Sequence, residues 1–229
     1  MTRAGTAISP HALLRLCHLV SAALPVGAYA YSQGLEFAVE AGWVHDEASA
    51  LDWLQGLSSH GVGTLDLPIL SRLHRAWCLD DTAMLAYWNA QLLAARETAE
   101  TRAQERHLGR SLAQVLVQLK IRTELDWLER SAAFATLFSL AAVRWEIPRA
   151  DTLSGYLWAW SENQVLAAVK LVPLGQSAGQ RLLYELTEMM PALIAQALSL
   201  NDEAIGVGVV SQAIASARHE TQYSRLFRS

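Results

Sequence analysis

Apolar positions along the chain recur at helical spacing almost throughout, and the residues between them punctuate helices rather than strands. Ser9 followed by Pro10 reads as an N-cap with proline in the first turn, opening HALLRLCHLVSAAL, which runs on until Pro25. After the turn LPVGA comes SQGLEFAVEAG, with Gly42 placed as the glycine that follows a helix end. Asp46, Asp66 and Asp81 stand where they can cap the helices ASALDWLQGLSSH, LPILSRLHRAW and TAMLAYWNAQLLAAR. The stretch ETAETRAQERHLGRSLAQVLVQLK is long and amphipathic, with Leu108, Leu112, Val115 and Leu119 on one face. Four more helices are expected in RSAAFATLFSLAAVRW, DTLSGYLWAWSENQVLAAVKLV, GQRLLYELTEMMPALIAQALSL and VVSQAIASAR, with Pro191 kinking or restarting the third. No alternating β-branched run is bounded by hairpin turns. The pattern predicts one all-α domain over residues 1–229, a bundle of roughly ten helices. Its alanine-rich faces, such as AAFATLFSLAA, suit close packing and dimerisation through helix faces.

Composition narrows the function. Of 229 residues 52% are hydrophobic and 17% charged, against about 25% charged in an average domain. Such a chain buries much of itself or covers its surface with partners. Net charge is −4, and there is no basic recognition helix, which argues against nucleic acid. Runs such as Ser131–Val143 and Ala204–Ala217 fall short of the roughly 20 residues of a membrane span. LCHLVSAALPVGAYA after Arg15 has the outline of a signal peptide, but His18 interrupts its apolar region. Cys17 and Cys78 stand alone in apolar stretches and are expected to be buried thiols, not a disulfide.

The search for chemistry finds little. No two of the seven histidines lie three or four residues apart, the spacing by which helices stack metal ligands. VPLGQSAGQRLL lacks the lysine and hydroxyl of a phosphate loop, and there is no GxSxG elbow. No catalytic group, cofactor or metal site is expected. Arg96, Glu97, Glu100, Arg102, Glu105, Arg106 and Arg110 read as a solvated helix face stabilised by pairs along the helix. Tyr29 and Tyr31, around the LPVGAYAYSQGLE turn, and Lys170, at the end of VLAAVK, are odd polar residues in apolar context. The end of the chain, residues 218–229, interleaves Arg218, His219, Glu220, Arg225 and Arg228 with Tyr223, Leu226 and Phe227. Arginine and aromatic side chains are frequent anchors of protein interfaces, so this tail is expected to dock onto a groove, its own or a partner's.

LPVGAYAYSQGLEFAVEAGWV, DLPIL, WNAQLLAARETAETRAQER, GYLWAWSENQVLAAVKLVPLGQSAGQRLL and ASARHETQYSRLFRS together resemble the urease accessory protein UreF family, in order, from about Leu13 to Ser229. The resemblance implies a cytoplasmic, non-enzymatic, homodimeric all-α protein. It implies binding to the accessory protein UreH/UreD and recruitment of the GTPase UreG to apo-urease, where GTP hydrolysis is coupled to nickel insertion and lysine carbamylation. In that frame the tail becomes ordered against UreH/UreD. Arg225 and Tyr29 are tied to the GTPase-recruiting surface, and Lys170 faces the GTPase. The alternative is an all-helical enzyme or small-ligand binder with a pocket around Tyr29, Tyr31 and Lys170.

Overall fold

A computed structural model describes residues 7–121, 125, 131–206 and 208–229. These are all-helical: α1 (Pro10–Leu19), α2 (Leu35–Glu40), α3 (Glu47–Leu57), α4 (Leu67–Cys78), α5 (Thr82–Ala94), α6 (Ala99–Gln118), α7 (Phe134–Arg144), α8 (Arg149–Leu171), α9 (Gln176–Ser199) and α10 (Val210–His219). Short 3₁₀ turns occupy Ala28–Ala30 and Asp202–Ala204. The expected start of α7 at Arg130 lies outside the described residues.

The architecture is organised around α4. Leu67, Ile69, Leu70, Leu73, Ala76 and Trp77 are all buried, with Ser71 and His74 beside them, and only an edge carrying Arg72, Arg75 and Cys78 reaches solvent, as suits a central helix. It packs against α5, α7, α8 and α9. Against it lie Phe138 of α7, Leu153 and Leu157 of α8, and Leu182 and Leu186 of α9. Helices α2 and α10 pair with each other at one flank, and α2 rests on α8.

Local chemistry sets the ends of these elements. Ser9 Oγ accepts the Ala12 N–H, and Pro10 follows in the first turn. Asp46 and Ser49 form a reciprocal capping box, as do Thr98 and Thr101, and Asp81 accepts the Met84 N–H. Gly42 has a φ of 74°, the left-handed conformation of a residue that ends a helix.

Four expectations are overturned. Helix α1 stops at Leu19, because Val20 to Pro25 turns away before the proline. Asp66 caps nothing: it has helical torsions and lies in a nine-residue π-helical segment, Ser58–Asp66, that joins α3 to α4. Pro68 has no N–H to give the Thr64 carbonyl, and Gly206 N–H donates to that oxygen instead, at 3.4 Å. Pro191 does not restart a helix: it lies inside α9, which stays helical through it, on an exposed face. Cys17 and Cys78 are both exposed free thiols, since α1 buries only Ala12 and Leu19.

Candidate partner-docking site

The turn between α1 and α2 forms one wall of the site. Gly27, at φ 78°, starts the 3₁₀ turn Ala28–Ala30, which leaves Tyr29 exposed and directs Tyr31 inward. Gln33 and Gly34 then take positive φ, and Gln33 Oε1 accepts the Trp160 indole N–H at 2.9 Å. At Gly34 a side chain is excluded twice over. Its φ is 88°, and an added Cβ would sit 3.0 Å from the Ser216 nitrogen and hydroxyl on α10. That close approach seats α10 on α2.

The tail then returns across the same turn. Arg228 N–H donates to the Ala30 carbonyl at 2.8 Å. The Ser229 main-chain oxygen accepts the Ser32 and Gln33 N–H groups at 2.7 and 3.0 Å and the Ser32 hydroxyl at 2.6 Å. Ser229 Oγ hydrogen-bonds Gln104 Oε1 on α6, 3.0 Å away. Phe227 is buried and joins the main core; Lys170 Nζ stands 5.7 Å above its ring, within cation–π range.

Carboxylates fix the tail's backbone. Glu36 accepts the Leu226 and Phe227 N–H groups, at 2.6 and 2.8 Å, and faces His219 Nε2 at 3.1 Å. Glu100, on the first turn of α6, faces His219 Nδ1 at 2.7 Å and accepts from Arg225 Nη1 at 2.5 Å. His219 is fully buried. The structure thus brings together the Tyr29 turn, Lys170 and the tail, which are far apart in sequence. It divides the tail by exposure. His219 and Phe227 are buried against the protein itself, while Arg218, Glu220, Tyr223, Arg225, Leu226 and Arg228 are exposed. Tyr223 has no shielding, and Leu226 is 68% exposed.

The pattern along the chain did not point to Glu36, Glu100 or Gln104. Glu36 carried one signal, a carboxylate among the apolar residues of GLEFAVEAG. Arg96 and Glu105 are likewise not a solvated face. Arg96 is pinned between Asp66 and Glu105, with Glu105 Oε1 2.6 Å from its Nη2, and the Tyr156 hydroxyl donates to Asp66 at 3.3 Å. Burial alone would disfavour the charged guanidinium, but Asp66 and Glu105 outweigh it and push the Arg96 pKa well above its ordinary value. Burial, with those two carboxylates, raises Tyr156 well above the usual phenol range.

Between the turn and this cluster lies a cavity of about 140 Å³, lined by Tyr29, Tyr31, Gln33, Arg96, Tyr156 and Gln164 among others. Tyr29 and Tyr31 therefore do share a pocket, but Lys170 is not in its lining. Among the described residues no cluster of His, Cys, Asp or Glu is arranged to hold a metal ion, and no helix is long and apolar enough to cross a membrane.

The UreF family model matches residues 44–187. The chain is 50% identical over 216 residues to the urease accessory protein UreF of Alkalilimnicola ehrlichii, covering 94% of this chain and 95% of that one. It is 46% identical over 220 residues to the UreF of Hahella chejuensis (96% and 99% covered), and 49% identical over 217 residues to that of Teredinibacter turnerae (95% and 98% covered). Matches of this length and identity place it in one group: the chain belongs to the urease accessory protein UreF family.

Proposed function

We propose that this protein is a urease maturation factor: a cytoplasmic, non-enzymatic adaptor that binds the accessory protein UreH/UreD and recruits the GTPase UreG to apo-urease for nickel insertion. It acts as a homodimer within that assembly, and nickel is cargo. Family membership supports the role in urease maturation. One observation carries the partner-docking part: the tail's backbone is clamped to its own fold, bonded through Arg228 to the turn that carries the exposed Tyr29, while Tyr223 and Leu226 point outward. A surface held in place by internal hydrogen bonds and presenting bare aromatic and aliphatic side chains loses little entropy on docking. Tyr29, Arg225 and Lys170 lie on or against the same clamped unit, so tail docking and GTPase recruitment are read as functions of one surface.

The double variant Tyr223→Ala, Leu226→Ala tests this. Both side chains are solvated, so stability should stay within about 0.5 kcal/mol of the parent. Affinity for UreH/UreD, measured by titration of the purified proteins, should fall at least about tenfold. Unchanged affinity would remove the tail from the docking surface.

A further inference from the structure

The fully buried His219 has a carboxylate on each ring nitrogen. Nε2 is 3.1 Å from Glu36 Oε2 and Nδ1 is 2.7 Å from Glu100 Oε2. A neutral imidazole has one N–H and can donate to only one of them. Satisfying both contacts requires one proton more than a neutral ring and two carboxylates carry, whichever of the three groups holds it. The same carboxylates hold the tail. Glu36 accepts the Leu226 and Phe227 N–H groups, and Glu100 accepts from Arg225.

We infer that Glu36, His219 and Glu100 form a proton-operated latch for the tail. With the extra proton present, the triad bridges α2 and α6 and offsets the charges of the buried Glu36 and the half-buried Glu100, and the tail is docked with Tyr223 and Leu226 presented. When that proton leaves, one carboxylate faces a nitrogen lone pair with no donor between them. The two negative charges then repel across the ring, and the tail loosens. Among the described residues the one other cation paired with the triad's carboxylates is Arg225, on Glu100, and it leaves Glu36 to the proton. Arg225 is exposed and engages the far oxygen of Glu100; Glu220 adds a carboxylate that accepts the Glu100 N–H; Glu40 holds Gln222; and Lys170 on α8 stands over Phe227. The sign follows: the tail is docked at lower pH and released as pH rises. This regulation rests on the reading of the tail as a docking surface.

Hydrogen–deuterium exchange of the C-terminal peptide, corrected for intrinsic exchange, measures docking directly. Between about pH 6 and about pH 8.5, protection of Leu226 and Phe227 should fall at least about tenfold, while α4 amides keep theirs. In His219→Gln, which cannot titrate, protection should be low and independent of pH. In Glu100→Gln, which removes one of the two charges favouring the proton, release should occur at lower pH. Protection that stays flat in the parent protein, or falls equally in His219→Gln, would overturn the latch. UreH/UreD affinity measured in parallel separates the two readings. Affinity lost with Tyr223 and Leu226 but without pH-dependent protection defeats the latch alone. PH-dependent protection with affinity indifferent to Tyr223 and Leu226 supports the latch and defeats the docking surface.

Discussion

Single side chains here are read correctly only with their distant partners in view. Asp66 beside Leu67 and Pro68 has the local character of a cap, and Arg96 to Glu105 has the local character of a solvated face. Both impressions fail for one reason: Asp66 is thirty positions from the guanidinium it pairs with, a separation no helical period reports. Removing that guanidinium leaves two buried carboxylates without a cation, the costly way to break a buried pair. Arg96→Ala should destabilise the protein by about 3–5 kcal/mol in urea unfolding. Arg96→Lys should recover only part of this, because a lysine cannot span both carboxylates with a planar fork. His74 gives a second test at this scale. Burial holds its pKa below the ordinary value, against the hydrogen bond from its Nε2 to the Ile147 carbonyl, 3.0 Å away. The folded state therefore favours the neutral ring. This stability is fully present above the unfolded histidine value of about 6.5 and declines as pH falls toward the lower folded value. In His74→Gln that part of the acid-side loss should disappear, seen as a shallower dependence of unfolding free energy on pH between about 7.5 and 5.

At the scale of elements, most helices were legible because their ends carry local chemistry. Ser9 with Pro10, Asp46, Asp81 and Gly42 each do in the structure what their residue types favour. The misreadings fall at Pro191, which an unbroken α9 accommodates on its exposed face, and in the π-helical segment before Pro68. Gly109 in α6 shows how tertiary packing can override a local preference. A glycine in a helix interior costs about 1 kcal/mol relative to alanine, so α6 taken alone would gain from Gly109→Ala. In the folded protein, however, a Cβ there would overlap the Ala132 carbonyl oxygen, at the point where the chain entering α7 crosses α6. The obstacle is main chain and cannot rotate away, and overpacking costs about 1–3 kcal/mol or more. Packing should win: Gly109→Ala is expected to lower the denaturation midpoint. A rise would show that α6 and α7 can separate freely.

For the whole molecule, the architecture is a core wrapped around α4 with a flank built from α2, the Tyr29 turn, α10 and the tail. The amphipathic pattern made the all-α class legible, and the arginine–aromatic mixture pointed to a tail that docks, as Phe227 does against the chain's own core. The pattern could not show that the tail's own backbone is held by Glu36, Ser32 and Gln33, because main-chain hydrogen bonds leave no trace in residue type. That division predicts how the molecule fails when the tail is cut. Deleting Arg225–Ser229 removes Phe227 from the core, a loss of about 1.5–3 kcal/mol. It also leaves Glu36 without two donors and the Ser32 and Gln33 N–H groups without their acceptor. None of these groups belongs to α4, whose burial against α5, α7, α8 and α9 is untouched. Helical circular dichroism should therefore persist. Hydrogen exchange should speed up most in residues 28–40 and in α10, by local opening, while α4 exchange speeds up only in proportion to the loss of global stability. If α4 amides lost protection as steeply as those of α2, flank and core would be one cooperative unit, and the tail would be a structural closure of the fold.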